Sequence, residues 1–259
     1  MAKIKILLAL FIISFFNLLN LNAQNKDSYL LNYEPRAIID MPTAGVIPKG
    51  QYSINSSIYT GGGVAANFTV GVFTNFNFGI SWTANSLIGN ENITSQEIPG
   101  VNLSYRFLDE KLDFPAILIG INTQGKSIYF VKEERFETYS SGVYLVASKN
   151  FKSFLGSNSI HWGINYSLEP SPNKRKVNTY LGFEQLLGNN VSFSAEYNFL
   201  LNESDNIVYK SGRGMLSSSL KFSPTDNFVF ELQFRDLLKA RKLENGISRI
   251  IAFDFINRL

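Results

Sequence analysis

Cysteine is absent from the 259 residues, which excludes disulfides, thiolate nucleophiles, cysteine-ligated zinc and a lipidated N-terminal cysteine. Histidine occurs once, at His161, so any histidine-dependent acid–base chemistry must pass through that residue. Charge is scarce at 17% of residues, below the roughly 25% usual for a water-soluble domain. The signs nearly balance, 24 Lys and Arg against 21 Asp and Glu, and two of the basic residues, Lys3 and Lys5, sit at the extreme N-terminus. That balance gives no electrostatic case for nucleic acid. Beyond residue 24 there is no apolar run approaching the ~20 residues a membrane-spanning helix needs. Membrane residence must therefore take the form of a closed sheet. What is abundant is apolar and aromatic: 45% hydrophobic residues, with 22 Phe and 12 Tyr. Nothing in the middle of the chain reads as a linker, so a single domain is expected.

Residues 1–23 read as an export signal. Lys3 and Lys5 precede an apolar run from Ile6 to Phe16, and Asn20-Leu21-Asn22-Ala23 then leads to cleavage before Gln24. The run is broken by Ser14, Asn17, Asn20 and Asn22, which argues against an uncleaved anchor.

From Gly50 to Leu259 the hydrophobic period is two. Val64, Ala66, Phe68, Val70 and Val72 alternate with Ala65, Asn67, Thr69 and Gly71. After Thr74-Asn75, Phe76, Phe78, Ile80, Trp82 and Ala84 alternate with Asn77, Gly79, Ser81, Thr83 and Asn85. The same pattern returns near residues 101–107, 160–168, 191–199 and 228–235, and weaker copies begin at Tyr52, Ala116, Tyr139, Val177, Gly214 and Ile247. The total is about twelve strands, most near the length a tilted strand needs to cross a bilayer. Connections alternate between short and long, as expected of a barrel with short periplasmic turns, longer external loops and both termini in the periplasm. A soluble sandwich or lipocalin-like barrel would place Lys and Glu on its polar face. Here that face is mainly Ser, Asn, Gly and Thr, which suits a crowded lumen. The expected fold is all-β, a single antiparallel transmembrane barrel.

The polar faces also carry Arg106, Glu184, Glu196, Lys221, Glu231, Arg235 and Asp254. Facing inward, opposite charges on neighbouring strands would pair across the lumen and offset their desolvation. No two acids stand out by spacing as a catalytic pair. His161 lies on the same inward face, among Ser159, Gly163 and Asn165. An outer-membrane lipid hydrolase would need its serine and histidine on the lipid face, so His161 reads as a hydrogen-bonded lumen residue and no enzymatic activity is expected. Gly61-Gly62-Gly63 has no following Lys-Ser/Thr and reads as a hairpin tip rather than a phosphate loop. Lys174, Arg175, Lys176, Lys239, Arg241 and Lys242 fall in loops on the external side, where solvated charge or contact with lipopolysaccharide phosphates would place them. No metal or cofactor is expected.

Residues 24–49 depart from the strand pattern, with Pro35, Pro42 and Pro48 among them, and form a plug or a periplasmic segment ahead of the barrel at 50–259. Within them, the run Ile38-Ile39-Asp40-Met41-Pro42-Thr43-Ala44-Gly45-Val46-Ile47-Pro48-Lys49-Gly50 leads directly into a strand. It resembles the opening of the YjbH-like outer-membrane proteins, in which a Leu-Ile-Asp-Met-Pro-Thr-Ala stretch precedes the first barrel strand and Pro-x-Gly follows. Asp40, Met41, Pro42, Thr43, Ala44, Pro48 and Gly50 carry the likeness, which continues loosely at Phe114-Pro115-Ala116, Gln124-Gly125 and Tyr144 to Asn150. Family members are typically much longer, so only their first barrel is covered. The resemblance implies a role in exopolysaccharide or capsule export, with polysaccharide or export-machinery proteins as partners beside outer-membrane lipid and lipopolysaccharide. The residue pattern by itself leaves open a narrow pore or structural barrel with no glycan role, and a lipid hydrolase.

Overall fold

The computed structural model describes residues 34–153, 156–170, 177–188, 190–203, 208–210, 212–242 and 246–259. The export-signal expectation and Lys174-Arg175-Lys176 lie outside the described residues. In chain order the strands are β1 (Gln51–Tyr59), β2 (Gly63–Phe73), β3 (Phe76–Asn85), β4 (Thr94–Ser95), β5 (Gly100–Leu108), β6 (Ala116–Asn122), β7 (Lys126–Phe130), β8 (Arg135–Thr138), β9 (Gly142–Ser153), β10 (Gly156–Tyr166), β11 (Asn178–Leu187), β12 (Val191–Asn198), β13 (Met215–Thr225), β14 (Phe228–Arg235) and β15 (Ser248–Arg258).

Twelve of these close into an antiparallel barrel. β1 pairs with both β2 and the final strand β15, and β2 pairs onward to β3, so the sheet has no free edge. β4 only extends the end of β3 by two residues, and β7–β8 is a separate hairpin in the connection between β6 and β9. Tight turns join β2–β3, β9–β10, β11–β12 and β13–β14 at one end, while the other end carries the long connections. Asn75 adopts a φ of 62° in the β2–β3 turn, and Gly61 and Gly62 adopt φ of 82° and 70° at the β1–β2 tip. The glycine run there is the hairpin tip its sequence suggests. β10 starts at Gly156, ahead of the segment expected near residues 160–168.

The period-two pattern resolves into an inverted surface. Phe68, Ile80, Trp82, Tyr105, Ile119, Leu145, Trp162, Leu181, Leu220 and Ile251 are exposed, whereas their chain neighbours Thr69, Ser81, Thr83, Ser104, His161, Ser219 and others are buried. Bulky side chains thus coat the outside and small polar ones line the enclosure. This is the reverse of a water-soluble barrel and matches a hydrocarbon exterior. Ile119, mid-strand in β6 and 46% exposed, tests this directly. Ile119→Arg is expected to weaken insertion by about 2–4 kcal/mol in equilibrium refolding into lipid vesicles. No loss in vesicles would mean that this face does not meet lipid.

Candidate functional site

The interior is occupied by the chain itself. Residues 38–47 are buried inside the barrel, where Ile38, Ile39, Met41, Ala44 and Val46 pack on Ala116, Leu118, Tyr144, Val146 and Tyr180. This apolar wall comes from the inward positions Ala116 and Leu118 of β6, Tyr144 and Val146 of β9, and Tyr180 of β11. Glycine makes room for it. A Cβ at Gly182 would come 2.2 Å from the Ile38 side chain, and one at Gly163 would meet the Tyr180 ring.

Three prolines keep the segment out of the sheet ladder, so its backbone groups need partners from side chains. Between Arg36 and Thr43 it folds into a tight loop, with Thr43 N–H donating to Arg36 O at 3.0 Å and Ile38 N–H donating to Met41 O at 2.9 Å. The tip of this loop points three successive amides, those of Ile39, Asp40 and Met41, at one carboxylate oxygen of Glu196, at 3.1, 2.9 and 2.9 Å. Such a nest of N–H groups is an anion site, and here the anion is a barrel side chain only 1% exposed. Asp40 in turn forms an ion pair with Arg235. Tyr180 donates to Pro42 O at 2.9 Å, Ala44 N–H donates to Ser148 Oγ at 2.9 Å, and Asn77 exchanges two hydrogen bonds with the Ile47 backbone at 2.8 and 2.9 Å. Arg106 pairs with Glu34 and reaches Ala44 O, and Arg36 bridges Asp254 at 2.5 Å and Ser53 at 2.7 Å.

Strand-to-strand pairing therefore accounts for few of the inward charges. Lys221 donates to Glu184 at 2.5 Å, and Glu231 accepts from Gln233 at 3.0 Å. Arg106, Glu196, Arg235 and Asp254 bind the N-terminal segment instead, because that segment fills the space across which they would otherwise face one another. Of the family-like residues, Asp40, Met41, Pro42, Thr43 and Ala44 make these contacts. Pro48 and Gly50 are exposed where the segment leaves the lumen, and Gly50 has a φ of 76° at the turn into β1. His161 Nδ1 lies 2.8 Å from Ser148 Oγ and Nε2 lies 3.5 Å from Glu184. The three residues are buried in the lumen, with Ser148 also accepting from the Ala44 amide, and no side of the trio faces the lipid surface.

The end bearing the long connections is closed by a lid that the sequence reading did not anticipate. The β7–β8 hairpin folds inward, pinned where Asn85 exchanges hydrogen bonds with the Tyr129 backbone at 2.8 and 3.0 Å. Arg135 forks onto Glu203 at 3.0 and 3.1 Å and stacks over Tyr139. Arg241 is buried and pairs with Glu137 at 3.2 Å and Asp236 at 3.4 Å. It is therefore an internal clamp and not one of the solvated loop cations, whereas Lys239 and Lys242 are exposed. Leu200, Val208, Tyr209, Met215 and Ala240 form a small core beneath the lid, with Phe130 against it. The missed residues, Glu34, Arg36, Arg135, Glu137 and Glu203, lie in segments without periodicity, where only charge in a loop hinted at them.

Glu196→Ala should strand three buried amides at about 1–3 kcal/mol for each unsatisfied group. The expected result is accelerated hydrogen exchange confined to residues 36–44 with the barrel intact. Unchanged protection there would refute the nest. Burial pushes the Glu203 carboxyl from its ordinary 4.5 up to about 7, against the pull of Arg135 and with Glu169 adding to the rise. A raised pKa in the docked state means that docking binds a proton. The stabilisation is complete below pH 4.5 and fades as pH rises to about 7. Hydrogen exchange around Glu203, corrected for intrinsic rates, should be slower at pH 5 than at pH 8, and Glu203→Gln should remove the difference.

No known protein-family profile matches the sequence, and no curated protein matches it. Among solved structures, one described as "NanC porin structure in rhombohedral crystal form" aligns over 80% of this chain and 99% of its own, with a TM-score of 0.44 and 8% identity. A second, described as "Unveiling the Mechanism Behind the in-meso Crystallization of Membrane Proteins", aligns over 81% of this chain and 84% of its own, with a TM-score of 0.42 and 8% identity.

Proposed function

We propose that the chain is an outer-membrane β-barrel without enzymatic activity, plugged by its own residues 34–49 and lidded on the external side. The apolar exterior supports membrane residence, and the short-turn end carrying the chain's last residue is assigned to the periplasm. The observation that carries the plugged reading is the consumption of inward charges by the segment: Glu196 by three amides, Arg235 by Asp40, and Arg106 by Glu34. An open diffusion pore would leave such groups to water. Passage of any solute then requires the segment to shift, and its grip is ionic and hydrogen-bonded as much as apolar.

A role beside exopolysaccharide export, with glycan or export-machinery proteins as partners, is the finer reading. It is favoured because the residues resembling the YjbH-like opening, Asp40 to Ala44, are the ones that occupy the lumen. Deletion of the gene with loss of surface polysaccharide would support it, and unchanged polysaccharide would leave a plugged barrel with no glycan role.

In planar bilayers the wild-type protein is expected to be silent, and a variant lacking both residues 34–47 and the lid hairpin 126–138 to show steady ionic conductance. Heat-modifiable migration on a gel provides the check that both are folded barrels. Large steady conductance from the wild type would overturn the plugged reading.

A further inference from the structure

Because the N-terminal segment seats against the apolar wall of the lumen, it leaves a chamber of about 140 Å³ on the opposite, polar side. β1, β2, β5, β14 and β15 line that side, and Lys126 of the lid hairpin reaches in from above. Three charged pairs border the chamber and satisfy one another: Arg36 with Asp254, Arg235 with Asp40, and Lys221 with Glu184. Two charged groups remain. Among the described residues, neither Lys126 nor Glu231 has a partner of opposite sign at ion-pair distance; Lys126 senses Glu231 only at longer range, and Glu231 also faces Lys221 across the β13–β14 ladder, where Lys221 is already held by Glu184. Glu231 Oε1, Asp40 Oδ2 and Asn102 Oδ1 are buried and have no hydrogen-bond donor. Bare buried acceptors of this kind call for a polar occupant.

We propose that this chamber binds a small zwitterion, its carboxylate on Lys126 and its ammonium on Glu231 and Asp40. Charge balance supports the choice. A lone anion would satisfy Lys126 and leave Glu231 bare, a lone cation would do the reverse, and a neutral polyol would neutralise neither. Burial holds the Lys126 ammonium below its usual range, only partly opposed by Asp40, Glu196 and Glu231, so an incoming carboxylate meets an under-compensated cation. Size restricts the ligand further: a protein cavity of about 150 Å³ accommodates benzene, which places the occupant near six non-hydrogen atoms. Glycine and alanine have that size and both charges. The site exists with the segment seated and does not depend on its movement.

The test is calorimetric titration of the full-length barrel in detergent micelles with glycine, L-alanine, acetate, methylammonium and glycerol. The two amino acids should bind at least about tenfold more tightly than the other three, and Lys126→Met and Glu231→Gln should each lose about tenfold. Gel migration reports whether the variants fold, and the wild-type ligand series decides the matter if they do not. Equal binding of acetate or glycerol, undiminished binding in the folded variants, or absence of glycine binding to the wild type would each overturn the proposal.

Discussion

A polar group sealed inside a protein must find a partner, and that requirement organises this molecule from the inside. A barrel exposing Phe68, Ile80, Trp82 and Trp162 must turn the alternate residues of each strand inward. Those residues bring hydroxyls, amides and both signs of charge into one enclosure. Twelve strands leave too wide a lumen for short side chains to fill and pair across. Residues 38–47 occupy one side of it, and prolines that stop the segment joining the sheet leave its backbone amides free for Glu196, Ser148 and Asn77.

The lumen is divided chemically as a result. Hydrophobic inward positions on β6 and β9, with Tyr180 of β11, create a dry seat that fixes where the segment lies. Ion pairs and the three-amide nest then fix its register, because moving the loop tip by one residue would aim different amides at Glu196. The opposite wall, rich in Asn, Ser and Thr, is left facing space. Apolar burial thus positions the segment, and the electrostatic contacts make that position specific.

At the end bearing the long connections the lid is governed by the same rule in a different form. Its hairpin and loops meet through Arg135 with Glu203 and Arg241 with Glu137, over a core of five buried side chains. These are buried pairs, whose loss on one side is costly because the remaining charge is stranded. Segment and lid meet at Arg235, which pairs with Asp40 and donates to Ser127 of the lid hairpin at 2.9 Å; otherwise the segment is tied to strands around the barrel, from Ser53 of β1 and Asn77 of β3 to Asp254 of β15, and the lid largely to loops.

How much of this was legible in the chain depends on periodicity. The alternation at residues 64–72, 76–84, 160–168 and 191–199 determines strand, face and the inverted polarity, since a period of two leaves no freedom over which side chains share a surface. The absence of cysteine, the single histidine and the scarcity of charge were equally decisive about which chemistries the chain lacks. Asp40 to Ala44 stood out as a distinct run, and the inward charges could be named one by one. Their partners could not. Arg36 with Asp254, Arg106 with Glu34, and Glu196 with the amides of Ile39 to Met41 join residues far apart in sequence, and local pattern carries no information about such distances. Only closure of the barrel around the segment set them side by side, and only the packing of Ile38 on Gly182 and Tyr180 chose which wall stayed open.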